Sequence, residues 1–223
     1  MFFKRRPKPR NRSGSFNPFP ADVDVWAGFE SGIAKAPWEV ENLHCDPQRS
    51  QQVMAQLELT EDSELGAMVA HTGGLVIDHG WVRLLGAGLG DLPDVATASP
   101  FTREDPHYLV LGVDVLGGIF AIDGTALGAG AGRLCYIDPT TMDAAQPTVR
   151  DLNVSHAQFM AWVLTGDVDK FYAPHRWDDW KEDIAGLSLN HGLDADRQPI
   201  RLSDLWEQAF PTVGLDVPRP QGF

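Results

Sequence analysis

Residues 71–88 read HTGGLVIDHGWVRLLGAG, and their punctuation decides the architecture. Two glycines, Gly73 and Gly74, precede the apolar run Leu75–Ile77. Asp78, His79 and Gly80 then interrupt it, Trp81–Leu85 resumes it, and Gly86 and Gly88 close it. Glycine stands where backbone must take positive φ or lie close to another chain segment. A short apolar run, a two-residue His-Gly break and a second apolar run predict a β-hairpin turning at His79-Gly80. Asp78 is placed to accept from turn amides, and Arg83 to reach a carboxylate on a neighbouring strand.

Downstream the texture repeats. YLVLGVD, GIFAID and RLCYID are short apolar runs bounded by Gly, Asp or Pro. Together with LVID and WVRLLG they predict about five short strands, joined in sequence as an antiparallel meander rather than by crossovers. DGTALGAGAG is the glycine-rich turn between two of them. The connection AGLGDLPDVATASPFTREDPH is expected on the surface.

Helices flank this middle. DVDVWAGFESGIAKA places Val25, Trp26, Phe29 and Ile33 at helical spacing. A second helix is predicted at DPQRSQQVMAQLEL, with Asp46 as cap and Pro47 at the first position. SELGAMVAHTGG is short and helical. SHAQFMAWVLTG starts at the cap Ser155 and stops at Gly166. RWDDWKEDIAGL carries Trp177, Trp180, Ile184 and Leu187 at the spacing of a core-facing stripe, and LSDLWEQAF ends the series with Ser203 as cap. The fold class is therefore α+β, one domain over 22–212. A basic arm expected to be disordered (1–21) precedes it and a proline-rich tail (213–223) follows.

The 223 residues carry a net charge of −13, unevenly spread. Lys4, Arg5, Arg6, Lys8, Arg10 and Arg12 put +6 in the first twelve residues, which leaves −19 on the remainder. An acidic body repels phosphates and attracts basic partners, so the folded part is not expected to bind nucleic acid. Two cysteines, Cys45 and Cys135, are too few for a disulfide framework or a four-thiolate zinc site. No apolar run approaches a membrane span, and no apolar segment follows the basic start as a secretory signal needs. A cytoplasmic location is expected; oligomeric state is not encoded in these patterns.

Seven histidines are scattered without the i, i+4 spacing of helical zinc motifs, so no metal is expected. GVDVLGG and GTALGAGAGR lack the strand–loop–helix setting of a phosphate cradle, so no cofactor is expected either. Two readings of function remain. WDDWKED sets Asp178, Asp179, Glu182 and Asp183 opposite the tryptophans, as a solvated face or as a patch for a basic protein partner. Alternatively, Asp78, His79 and Arg83 serve a small enzyme, with His79 as base oriented by Asp78. Neighbouring strand residues point to opposite faces, which weighs against that pairing.

GAMVAHTGGLVIDHGWVRLLGAG, DVLGGIFAIDG, YIDPTTM and FMAWVLTGDVDKFYAPHRWDDW occur in this order. As a set they resemble the bacterial family catalogued as domain of unknown function 2625, over about 22–210. That resemblance implies no reaction and supplies no catalytic positions. More distantly, the order LVLGVD, GGIFAID, RLCYID and SHAQFMAWVL is similar to that of the SMI1/KNR4-like (SUKH) superfamily. This likeness implies an α+β fold with a curved antiparallel sheet. It also implies a non-catalytic role as an immunity protein that binds and neutralises a toxin. The N-terminal helices and the long 87–107 connection depart from that pattern.

Overall fold

In the computed structural model, residues 24–138 and 148–223 are described, and the basic arm 1–21 lies outside them. The opening stretch forms the hairpin β2 (Gly74–Ile77) and β3 (Val82–Leu85), with Ile77 opposite Val82. The turn is thus four residues, Asp78 to Trp81, rather than two. Asp78, His79 and Gly80 all have positive φ, at 50°, 60° and 92°. Aspartate tolerates this region through its short polar side chain, and glycine has no Cβ to clash.

Five further strands extend the hairpin into one antiparallel sheet, in the order β1-β2-β3-β4-β5-β6-β7. They are β1 (Val40–Leu43), β4 (Tyr108–Asp114), β5 (Ile119–Asp123), β6 (Leu134–Ile137) and β7 (Val149–Asp151). A separate two-stranded ribbon pairs β8 (His191–Leu193) with β9 (Pro199–Arg201). The α+β class and the sequential meander hold, but the main sheet has seven strands rather than about five. The two outer strands, VENL and VRD, have no apolar alternation to announce them. They form because β2 and β6 offer unpaired backbone edges, and their charged residues suit a sheet margin.

Register sorts the sheet into two faces, because directly paired residues point the same way. One row runs Asn42, Leu75, Leu84, Gly112, Phe120, Tyr136, Arg150 across all seven strands. Four helices cover that face: α1 (Val25–Lys35), α3 (Glu64–His71), α5 (His156–Thr165) and α6 (Asp167–Tyr172). Phe120 is fully buried, its ring 5.0 Å from Phe159 and 6.5 Å from Phe171. Removing such a side chain from water stabilises a fold by roughly 1.5–3 kcal/mol. Asp24 and Ser155 cap α1 and α5 through their own oxygens, and Asp46 does the same for α2 (Pro47–Leu57).

The opposite row runs Glu41, Val76, Arg83, Val113, Ile119, Ile137, Val149. It is covered by α4 (Val95–Ala98), the β8–β9 ribbon, α8 (Leu202–Thr212) and the tail. Trp206 of α8 donates to the Gly117 carbonyl at 2.7 Å, and Phe223 packs on Trp206 with ring centres 5.0 Å apart. Tyr108 donates to the Pro218 carbonyl, so the tail, without regular structure, still packs against the sheet.

Three local expectations are corrected. The 87–107 connection is not a surface loop throughout, since Leu92, Val95 and Ala98 have no exposure. Its few apolar residues are masked in sequence by prolines and acids, yet Asp94 caps α4 and pairs with Arg49 to hold it down. The helix of the WDDWKEDI stretch, α7, spans only Trp180–Ile184. Residues 173–175, with Pro174 among them, form a separate 3-10 turn, and residues 176–179 link the two. Ser203 does not cap α8, because β9 runs straight into the helix and puts Arg201 at that position.

Asp114 ties the β4–β5 turn to β6 and to α6. Its side chain is fully buried and accepts from the backbone N–H of Leu116 and Gly118 and from the hydroxyls of Tyr136 and Tyr172. Gly118 is required there, since a Cβ would stand 2.1 Å from the Tyr136 hydroxyl. Burial holds the Asp114 pKa above its ordinary 3.8, against the pull of the four donors. The folded chain therefore keeps this proton to higher pH than the unfolded chain. The stability it contributes is full below pH 3.8 and is lost as pH rises through the folded value. Asp114→Asn mimics the protonated acid at every pH. Urea midpoints measured from pH 4 to 8 are expected to show the variant gaining on the wild type as pH rises; a difference that stays constant would refute the assignment.

Candidate functional site

Four segments converge beside the β2–β3 turn and enclose a cleft of about 810 Å³. Pro37 and Trp38 come from the end of α1, and Asp78 and His79 from the turn. Asp167, Asp169 and Lys170 come from α6, and Arg176, Trp180 and Lys181 from the following turn and α7. Gly166 at φ 99° both ends α5 and starts α6, which swings the α6 acids toward the turn.

The wall of this cleft is built on Arg176. Its guanidinium pairs with Asp78 through one terminal nitrogen and with Asp169 through the other. It also lies 4.8 Å from the Trp81 ring centre and 4.4 Å from that of Trp180. Arg176 and Asp78 are 12% and 7% exposed, so the pair is largely removed from water. Two indole faces and two carboxylates offset the desolvation of the guanidinium. The ring stack extends to Tyr172 and Trp177, both within 6 Å of Trp81 by ring centres.

Nearby cations follow the same pattern. The Arg197 guanidinium lies 4.4 Å from the Trp177 ring centre, and the Lys181 ammonium 5.3 Å from that of Trp180. By contrast, Asp178, Asp179, Glu182 and Asp183 are exposed, and none has an ion-pair partner among the described residues. Asp183 accepts from the Trp177 indole N–H at 2.6 Å. The four carboxylates bracket Trp180, one wall of the cleft.

Asp78, His79 and Arg83 share a hairpin but do not share a partner. Asp78 does not bind turn amides through its carboxylate; it meets Arg176 instead. His79 is 41% exposed, 3.9 Å from Glu39 and edge-on to Trp180. Arg83 does not reach a neighbouring carboxylate. It points to the opposite sheet face and donates to the carbonyls of Leu189 and His191. His79 and Arg83 both line a second, smaller groove, which Asp78 does not. Arg176 and Trp38 are the site residues that sequence reasoning missed. The proximity of Arg176 to Trp177 and Trp180 was the available signal, since guanidinium and indole often stack. Among the described residues, no group of three or more His, Cys, Asp or Glu could hold a metal ion, and no helix is long and apolar enough to cross a membrane.

Comparison with known proteins gives a consistent result. Residues 21–209 match the model of a family described as protein of unknown function DUF2625. An uncharacterized protein of Haemophilus influenzae is 32% identical over 172 residues, which cover 74% of this chain and 73% of that one. The putative uncharacterized protein YbfG of Escherichia coli is 30% identical over 200 residues, 83% of this chain and 90% of its own. No solved structure matches.

Breaking a buried ion pair from one side strands the other charge. Arg176→Met is therefore expected to destabilise the fold by about 3–5 kcal/mol. Adding Asp78→Asn, which keeps a residue tolerant of positive φ, is expected to restore a large part of that loss. Urea unfolding of the two single variants and the double variant measures this coupling; additive losses would show that the pair does not anchor the turn.

Proposed function

The chain belongs to the DUF2625 family, and we propose that it is a non-catalytic protein-binding module whose acidic, tryptophan-lined face captures a basic partner. The observation that carries this reading is the set of four exposed carboxylates, Asp178, Asp179, Glu182 and Asp183, left without ion-pair partners around Trp180. Cations nearest them, Arg176, Lys181 and Arg197, already rest on carboxylates or indole faces of the same chain. The surface thus has the chemistry that receives guanidinium and ammonium groups, with negative charge in excess.

Each exposed carboxylate is worth little alone, because water screens it. Together they steer encounter and select against acidic partners. Trp38, half-buried at the cleft, supplies an apolar anchor that a charged rim lacks, while Trp180, only 8% exposed, backs the acidic helix from below. The charge of −19 beyond the first twelve residues acts at longer range in the same direction. The order of segments that resembles SUKH proteins suggests one partner class to try first, a basic toxin neutralised in the cytoplasm, although neither the family match nor any solved structure adds support for that likeness.

The reading is tested on the full chain with all four acids changed to lysine. A fluorescent nonapeptide of alternating arginine and glycine serves as the basic probe. At roughly 0.2–1 kcal/mol per exposed pair, charge reversal is expected to weaken binding at least tenfold at low salt. Wild-type affinity should fall more steeply with salt than that of the variant. Equal affinities and equal salt dependence would show that the face is only solvated.

A further inference from the structure

The second groove, of about 230 Å³, lies on the sheet face of Glu41, Val76 and Arg83 and meets the first cleft at His79 and α7. Its floor is part of one cross-strand row. Glu41 on β1 pairs with Val76 on β2, and Val76 pairs with Arg83 on β3. Adjacent strands are about 4.8 Å apart, so the backbones of Glu41 and Arg83 are roughly 10 Å apart. Val76, a short apolar side chain, lies between an acid and a base. Ile184, Leu187 and Leu189 add apolar side chains to the lining, and Glu39 and His79, 3.9 Å apart, add polar ones.

Arg83 is the unusual member. It is 2% exposed in a row otherwise continued by Val113, Ile119 and Ile137. One terminal nitrogen donates to the Leu189 and His191 carbonyls, while Nε has no hydrogen-bond partner. No carboxylate contacts it among the described residues. Asp114 favours its charge from the other sheet face but is already engaged with four donors. Burial lowers the Arg83 pKa only to about 10, so it stays charged near neutrality. Nε is shut off from the surface, as are the unpartnered Nε atoms of Arg150 and Arg176. That leaves the second terminal nitrogen, with no hydrogen bond among the described residues, as the donor that a carboxylate in the groove can meet.

A plain anion does not suit the rest of the groove. Glu39 and Glu41 are exposed and line the groove, Glu41 two strands from Arg83, and they repel a ligand that carries only negative charge. A ligand bearing both charges a few bonds apart meets both demands. We propose that this groove binds a free amino acid with an aliphatic side chain. Its carboxylate lies toward Arg83, its ammonium toward Glu39 and Glu41, and its side chain against Leu187 and Leu189. The small volume excludes larger ligands, since drug-sized pockets begin near 300 Å³. The groove shares His79 and α7 with the first cleft, but none of the four exposed acids lines it.

Calorimetric titration of the full chain with each of the twenty amino acids is the first measurement. Leucine and its close relatives are expected to bind. Isopentylamine, which lacks the carboxylate, and 4-methylpentanoate, which lacks the ammonium, are expected to bind at least tenfold more weakly than leucine. Arg83→Met is expected to abolish leucine binding, and Glu41→Gln to weaken it severalfold. Should Arg83→Met fail to fold, Leu187→Trp fills the groove without touching the charges and is expected to abolish binding as well. The proposal is overturned if no amino acid binds the wild type, if 4-methylpentanoate binds as tightly as leucine, or if leucine affinity survives Leu187→Trp.

Discussion

The Asp114 carboxylate holds three parts of the chain that are distant in sequence. It gathers the β4–β5 turn through two backbone N–H groups, β6 through Tyr136 and α6 through Tyr172. A fully buried carboxylate is costly unless its lone pairs are occupied. Here they are, and the cost of leaving any donor unmade fixes the position of α6 against the sheet. Once α6 is fixed, Asp169 stands beside the β2–β3 turn, and Arg176 has two carboxylates within reach. The first cleft is thus a consequence of packing at the sheet, not a separate construction.

Two guanidiniums near the same hairpin illustrate how context assigns a role. Arg176 and Arg83 are both largely removed from water. Arg176 has two carboxylates and two indole faces around it. It is a structural anchor, and its removal strands Asp78. Arg83 has backbone carbonyls on one nitrogen and nothing on Nε. An apolar residue would pack there at lower desolvation cost. Both leave Nε without a partner, so what separates scaffold from candidate binding group is the carboxylate: Arg176 has two, and Arg83 has none among the described residues.

The turn itself couples the two sites. Three successive residues with positive φ bring Asp78 inward to Arg176 and leave His79 outward, where it lines both hollows. Such a conformation persists only where surrounding contacts over-determine it. Here the Asp78–Arg176 pair and the packing of Trp81 under Tyr172, Trp177 and Trp180 supply those contacts.

The elements with a strong local signal were legible in the sequence. Asp46 and Ser155 marked helix starts because a short side-chain oxygen can satisfy amides a few residues on, whereas Ser203 did not, since β9 runs straight into α8. Glycine-bounded apolar runs marked β2 to β6 because burial on a pleated sheet imposes that texture. The edge strands β1 and β7, the buried part of the 87–107 connection and the shortness of α7 were not legible. Their form depends on neighbours far along the chain: backbone edges to pair with, Arg49 beside Asp94, and a ribbon and tail to cover a face. The same holds for the sites. Sequence singled out Asp78, His79, Arg83 and the acids of 178–183, because residue type alone suggests chemistry. Only the tertiary structure decided that Asp78 faces Arg176 and that Arg83 lies on the other side of the sheet. Side-chain alternation and cross-strand register, which set those directions, are fixed by pairing partners and not by the residues themselves.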